Sequence, residues 1–365
     1  MRRIARVVAV VVSWRQVDQL DACLAALDAQ SHVDLDVVVV DNASGDGSLE
    51  LLTTAAAAAR RHPLTVVANP TNRGFAGGVH DGLVAAPRPA DAVWLVNVDC
   101  VPDPDHLARL VAVLDTEPRC ASVQGRLDRN VRTADGGVIV DSTGVVATRA
   151  RLFRDRDEGR RAADVERSAG EVFGVTGACA LLRTAALEDV AWAGEGPWTR
   201  RALTEDLFAY FDDVDLAWRL QRLGWRSRYE PAATATHERG GAGPRRSAFV
   251  EELNAANRLL VVGTHDTSRT IGRSWPVVLA TTTLKLGELL LTVPSAWLPA
   301  LRRVRRGWGA ARSRHRELEA RARVPARAVV ERWFEPFVWG PWIATWWRRV
   351  RGRAPGVAGG GRPPT

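Results

Sequence analysis

The chain has 365 residues, a formal charge of +8, and 46% hydrophobic and 25% charged residues. That balance fits one large α/β domain with an appendage, or two domains, and excludes a disordered or collagen-like chain. The four cysteines, Cys23, Cys100, Cys120 and Cys179, lack C-x-x-C spacing. They therefore read as buried thiols in a reducing compartment, without a disulfide frame or a zinc site.

The opening MRRIARVVAVVVSW sets basic residues before an apolar run too short to cross a bilayer, and no small-residue cleavage site follows. It reads as the first buried strand of a cytoplasmic protein. Residues 4–13 and 35–40 are near-continuous Val-rich runs, the pattern of parallel strands covered on both faces. Between them Leu20, Leu24 and Leu27 recur at i, i+4, i+7 and predict a helix. An Ala-rich helix over 49–61 stops before Pro63, and strands follow at 64–68 and 93–98 with a helix around 76–86 between them. This alternation predicts an α/β fold: a doubly wound, mostly parallel sheet with its ligand at the carboxyl ends of the strands. Beyond about residue 120 the periodicity weakens, and the charged residues 151–168 read as a mobile loop.

The run FAYFDDVDLAWRLQRLGW (208–225) sets Asp212, Asp213 and Asp215 at the mouth of a helix. Leu216, Leu220 and Leu223 share one face of that helix, and Gly224 closes it. Alone, the acids read equally well as a capping cluster. The apolar shoulder Leu207, Phe208, Ala209, Tyr210 and Phe211 places them at a core edge, where a partly desolvated carboxylate works as a general base. Asp215 is spaced to pair with Arg219.

The strand ends are polar: Asp41-Asn42 after the second, Asn69 to Gly78 after the third, and Asn97-Val98-Asp99 at the fourth. Asp41 suits a base or ribose, Arg73 and the neighbouring glycine N–H groups suit a diphosphate, and Asp99 suits Mg²⁺ or Mn²⁺. Ser13-Trp14-Arg15 stands where a G-x-G-x-x-G turn would, which argues against a nicotinamide-dependent oxidoreductase. Each of these features taken singly is also ordinary turn chemistry.

In order, the blocks VVVSW (10–14), VVVVDNASGDGS (37–48), NRGFAGG (72–78), WLVNVD (94–99), DSTG (141–144), FGVTGACALLRTAAL (173–187), the 208–225 run and ATHERGG (235–241) resemble family-2 glycosyltransferases of the GT-A fold. The bacterial rhamnosyltransferase-like branch is the nearest pattern, and the resemblance covers about residues 5–262. It implies a nucleotide-diphosphate-sugar donor, with dTDP-rhamnose favoured, a divalent cation (Mn²⁺ or Mg²⁺) and inversion at the anomeric carbon. It implies that Ser13, Asp41, Asn42, Arg73, Gly74, Asn97 and Asp99 surround the donor, that Asp99 and His237 serve the metal, and that Asp213 is the general base. Thr176, Gly177, Ala178 and Asp212 would lie under the acceptor. It also implies a GT-A domain over 1–265, with a nucleotide-sugar half to residue 120 and an acceptor half from 121.

Three positions depart from the family pattern: Asn97 where many relatives carry a second aspartate, His80 where Asn is common, and Asp212 where Glu is frequent. On residues alone, His237 also reads as a solvated loop histidine, and 176–178 as a tight turn feeding an apolar helix. A nucleotidyltransferase and a non-catalytic nucleotide-sugar-binding partner of a glycan assembly complex stay open as alternatives.

Residues 271–365 hold 18 Lys and Arg against 5 Asp and Glu, together with 8 of the 14 tryptophans. Such a region, taken as a helical appendage over 266–350, suits an anionic membrane surface, where indole sits at the interface and guanidinium reaches phosphate. The run 277–291 is apolar but interrupted by Lys285 and Glu288, which argues against a bilayer span. The competing reading packs these tryptophans on the catalytic domain. No nucleic-acid module is readable, so nucleic acid is not expected as a partner. The expectation is a peripheral protein at the inner membrane face, serving a glycan or polyprenyl-linked acceptor of the cell envelope. The Pro- and Gly-rich end, 351–365, reads as disordered.

Overall fold

The structure is a computed structural model that describes residues 3–32, 34–165, 167–193, 202–238 and 247–351. The tail read as disordered lies, from residue 352, outside the described residues, as do the last three residues of the 235–241 block. The amino-terminal third alternates strand and helix: β1 (Val7–Ser13), α1 (Val17–Asp28), β2 (Leu35–Asp41), α2 (Ser48–Ala57), β3 (Leu64–Ala68), α3 (Gly74–Val84) and β4 (Ala92–Asn97). Next come β5 (Cys100–Pro102), α4 (His106–Thr116), β6 (Cys120–Arg132), β7 (Val138–Ser142), β8 (Val145–Thr148), β9 (Phe153–Asp155) and β10 (Gly170–Val172). β11 (Cys179–Arg183), α5 (Thr184–Val190), α6 (Asp212–Arg222) and β12 (Arg226–His237) complete the sheet region. The carboxyl-terminal part is helical: α7 (Ala248–His265), α8 (Ser268–Ile271), α9 (Trp275–Thr292), α10 (Pro294–Arg321), α11 (Ala326–Trp333), a short β13 (Phe334–Glu335) and α12 (Trp339–Val350).

The main sheet runs β10-β12-β6-β11-β4-β1-β2-β3. β1 pairs in parallel with β2 and β4, with Ser13 opposite Asp41 and Val12 opposite Asn97, so three polar strand ends stand side by side. The Val-rich strands bury both faces with a period of two. Val7, Ala9 and Val11 pack with Leu20, Leu24 and Leu27 of α1. Val8 and Val10 share a cluster with Val79 and Leu83 of α3, with Leu216 and Leu220 of α6 and with Leu223 at its carboxyl end. A Cβ at Gly78 or Gly82 would come within 2.6 or 2.7 Å of Val12 or Val10, so glycine lets α3 lie close on the sheet.

Three expectations shift. The Ala-rich helix ends at Ala57, four residues early, and α3 begins at Gly74. The segment 151–168, read as a mobile loop, carries β9 and a turn of 3-10 helix at Ala162–Asp164. One of its charges is paired inside the fold: Arg151 is fully buried and grips Asp266 through Nε at 2.6 Å and Nη2 at 2.9 Å.

Candidate active site

Parallel pairing brings Ser13 and Asp41 together at the carboxyl edge of the sheet, both buried. Buried polar groups normally have partners. Ser13 Oγ and Asp41 Oδ1 have none among the described residues, which leaves two adjacent polar atoms for a ligand. Asn42 has an internal role: its Nδ2 donates to Gly74 O at 2.8 Å, and its Oδ1 accepts from Asn69 Nδ2 at 2.9 Å and Arg73 N at 3.3 Å.

The start of α3 differs from the sequence expectation. The N–H groups of Phe75 and Ala76 donate to Phe208 O, at 2.7 and 3.4 Å, and the Gly74 N–H donates to Asn72 Oδ1 at 2.8 Å. The Gly74 N–H, one of the glycine donors read as suiting a diphosphate, is thus used within the fold, and the positive φ of Phe208 (66°) turns its carbonyl onto the next two donors of the helix mouth. Gly74 itself has φ +72°, and a Cβ there would lie 2.2 Å from Phe208 O. The Arg73 guanidinium pairs with Asp81 and, at 3.0 Å, with Glu205.

A second cluster forms where β5 pairs with β12, which sets His237 opposite Cys100. His237 Nε2 lies 3.2 Å from Asp99 Oδ1, and Nδ1 lies 2.7 Å from Asp141 Oδ2. Arg129 Nε in turn donates to Asp141 Oδ1 at 3.2 Å. His237 is therefore a buried, oriented ring rather than a solvated loop histidine. Burial works against its charged form, but the hydrogen bonds that its ring N–H groups donate to Asp141 and Asp99, together with those two negative charges, outweigh that and raise it to about 9. Asp99, Cys100 and His237 offer ligand atoms within 4.8 Å of one another. Burial pushes the Cys100 thiol well up, so it remains a neutral thiol and a poor ligand for a hard cation. The Asp99 carboxylate and the His237 ring held by Asp141 fit a divalent cation, which would displace the proton on Nε2 in order to bind there.

The third group sits at the mouth of α6. Asp212 is the first helical residue and Phe211 the N-cap, so the acids occupy the first turn. Phe208, Tyr210 and Phe211 all have left-handed backbones, with φ of 66°, 67° and 68°. Such strain persists only where the surroundings enforce it. Here the fully buried Asn257 of α7 enforces it: its Nδ2 lies 2.7, 2.8 and 3.0 Å from the carbonyl oxygens of Leu207, Ala209 and Tyr210.

Asp213 is half-buried, and its carboxylate accepts from the N–H groups of Val214, at 2.8 Å, and Gly177. Burial first, then the negative charges of Asp212 and Asp155, push Asp213 above the usual carboxylate range. Burial, with Asp215 nearby, raises Asp212 as well. Asp215 goes the other way. Burial opposes its charge, but Arg219 at 2.9 Å, His265 at 2.8 Å and Thr204 at 2.7 Å hold it well below the usual range. Trp218 stacks on His265, with ring centroids 4.7 Å apart. Asp215 is the structural member of the trio, as its spacing to Arg219 suggested.

The turn 176–178 joins these groups. Thr176 N donates to Gln124 Oε1 at 2.7 Å, Asn97 N donates to Ala178 O at 2.7 Å, and Gly177 abuts Phe75 and Asp212. Thr176 Oγ1 is buried without a partner among the described residues. The turn feeds β11, not an apolar helix; α5 comes only after that strand, which the antiparallel ladders to β4 and β6 hold extended. Sequence reasoning assigned no role to Asp141, Glu205 or Asn257. Asn257 was the most detectable, as a polar residue on a helix whose buried face also carries Leu253, Leu260 and Val261.

The chain matches the family described as glycosyltransferase like family 2 over residues 5–258. It is 26% identical, over 250 residues, to the N-acetylglucosaminyl-diphospho-decaprenol L-rhamnosyltransferase of two Mycobacterium tuberculosis strains, a match covering 63% of this chain and 75% of that protein. Among solved structures, the Pyrobaculum calidifontis mannosyltransferase PcManGT, in complex with GDP-Man and Mn²⁺, superposes with a TM-score of 0.51 at 19% identity, covering 91% of this chain and 88% of that one. GalNAc-T7 with UDP, GalNAc and Mn²⁺ superposes at 0.56 and 12% identity over 77% of this chain, which spans about half (52%) of that structure. Both likenesses concern the GT-A fold. The family match spans the strand-end pair, the Asp99–His237 cluster, the acid pair and Asn257, and the chain belongs to glycosyltransferase family 2.

Proposed function

We propose that this protein is an inverting, metal-dependent glycosyltransferase acting in cell-envelope polysaccharide synthesis at the cytoplasmic face of the membrane. It moves a sugar, rhamnose from dTDP-rhamnose by preference, to a hydroxyl of a glycan or lipid-linked acceptor. The mycobacterial relative, by its name a rhamnosyltransferase acting on a diphospho-decaprenol-linked sugar, supports the choice of sugar and of a lipid-linked acceptor. The observation that carries the catalytic reading is Asp213: a carboxylate of raised basicity, beside the 176–178 turn, at the sheet edge where Ser13 and Asp41 leave polar atoms without partners.

Ser13 and Asp41 take the nucleoside; Asn42, Gly74 and Asn97 shape the pocket around it, and Arg73 faces the diphosphate side. Thr176, Gly177, Ala178 and Asp212 form the floor under the acceptor. Asp213 takes the proton of the acceptor hydroxyl as that oxygen bonds to the anomeric carbon. The bond from that carbon to the diphosphate oxygen breaks with its electron pair leaving on the nucleotide, and one displacement inverts the centre. Asp99 and His237 would hold the divalent cation, which would supply charge neutralisation at the diphosphate. Asp141 orients His237 for that task.

The test is a thermal-shift screen of dTDP-, UDP- and GDP-sugars with Mn²⁺ and with chelator, followed by turnover of the stabilising donor. Stabilisation should require the cation, and Asp213→Asn should keep donor binding while losing transfer. Retention of more than about a tenth of wild-type turnover would sink the role of Asp213. Binding without turnover by the wild-type chain would make it a nucleotide-sugar-binding partner instead.

A further inference from the structure

Two helices of the carboxyl-terminal region, α9 and α12, leave large apolar side chains uncovered among the described residues. α9 has 18 residues, yet only Thr281, Glu288 and Leu289 are buried, and α12 buries none. One side of α9 is fixed to the body: Thr281 Oγ1 donates to Ala150 O at 3.4 Å, and Thr282 Oγ1 accepts from Arg258 at 3.2 Å. Next to that side lies α12, tied by Trp346 Nε1 to Leu284 O at 3.1 Å and by Arg349 to Glu288 at 3.5 Å. Away from these contacts, Leu279, Leu290 and Leu291 are 58%, 46% and 66% exposed. On α12, Ile343 and Trp347 are exposed at a spacing of four, off the stripe that carries Trp346 and Arg349.

Charge borders this apolar surface. Leu298, Arg302 and Arg305 recur at i, i+4, i+7 on α10, all exposed, with Arg306 beside them. Other arginines of the region are committed: Arg303 pairs with Glu252, Arg321 with Glu317 and Arg323 with Asp189. Arg302, Arg305 and Arg306 form no ion pair among the described residues, and neither does Arg273 just before α9. Leucine and indole at the surface with uncommitted guanidinium alongside match the acyl, interfacial and phosphate layers of an anionic bilayer. A second copy fits poorly, because a two-fold contact would set these arginines against themselves. No helix among the described residues is long and apolar enough to cross a membrane, so contact would be along the surface.

We propose that α9, α12 and the amino-terminal half of α10 form a docking face for an anionic lipid surface. This deepens the glycosyltransferase reading and rests on it for its purpose, which is to present a lipid-linked acceptor to Asp213. The test is flotation of the full chain with phosphatidylcholine vesicles, with and without phosphatidylglycerol. Wild type should float with the anionic vesicles only, and less as salt rises. Leu290→Glu with Leu291→Glu and Trp347→Glu, and separately Arg302→Gln with Arg305→Gln and Arg306→Gln, should each cut recovery by about tenfold or more. All six side chains are exposed, so melting temperature and vesicle-free donor hydrolysis should not change. Wild type that stays unbound, or variants that float as well as wild type, would overturn the proposal. So would a wild-type dimer that the glutamate variant converts to monomer, since the face would then belong to a second copy. Loss of donor hydrolysis in every protein with flotation intact would remove the catalytic reading and support the docking face.

Discussion

Asp213 and Asp215 lie two residues apart on α6, yet their surroundings drive them in opposite directions. Asp215 meets a guanidinium, an imidazole and a hydroxyl, while Asp213 meets two carboxylates and two backbone N–H groups. Divergent carboxylates on one element are a recurrent way to separate a base from a brace. Because the native value of Asp213 is raised, its contribution to stability is fully present below the ordinary carboxylate range and is lost as pH rises through the raised value. Asp213→Asn should therefore melt at a higher temperature than wild type at pH 9, and the gain should vanish near pH 4. An upward displacement of one pH unit already corresponds to about 1.4 kcal/mol, so the difference should reach several degrees. Melting curves whose difference does not depend on pH would contradict the raised carboxylate. In the same way, transfer should rise with pH as Asp213 loses its proton, with a profile displaced upward from that of an ordinary aspartate.

Among elements, the segment before α6 carries the most constraint. Three left-handed residues place the Phe208 carbonyl on the mouth of α3 and Asp212 and Asp213 on the first turn of α6. Asn257, one helix away, holds that conformation through three carbonyls, which under the proposed function makes it a positioning residue for Asp213. Asn257→Ala should lower turnover by about 10–100-fold, the effect of a displacement of about an ångström, with donor affinity nearly unchanged. Turnover and donor binding measured on the same folded protein decide it; a parallel fall in both, or neither, would show that Asn257 braces the fold without aiming Asp213.

For the molecule as a whole, the helices of the basic, Trp-rich region pack unequally on the body. α10, α11 and β13 join the body: Ala311, Val329, Val330 and Phe334 share a cluster with Trp218, Leu260 and Val261. Trp333 Nε1 donates to Gln221 Oε1 at 2.9 Å, and β13 pairs with β8. α9 and α12 keep apolar faces outward. A chain cut after residue 265 would lose Asp266, the partner of buried Arg151, and uncover that cluster. It should lose roughly 10 °C or more of melting temperature, or fail to stay soluble. Melting within a few degrees of the full chain would show that the catalytic domain ends before the helical region.

The four parallel strands, their polar ends and the helix behind Asp213 were legible in the amino-acid order, because periods of two and 3.6 and the choice of capping residues are local properties. The run of blocks from VVVSW to ATHERGG also carried the family. Other features needed the folded chain. Asp99 and His237 meet because β5 and β12 pair across more than a hundred residues, and Asp141 joins them because β6 pairs with both β7 and β12. No local pattern marks Asn257 as the brace of 207–210, or commits the α3 N–H groups to Phe208 in place of a phosphate. The partition of the tail is of the same kind: α9 and α10 both carry apolar residues at helical spacing, and which face meets the domain depends on the surface that α7 and β8 present. Periodicity records that a residue has a side to bury; what buries it, and whether a charge is left without a partner, is decided by contacts between segments distant in the chain.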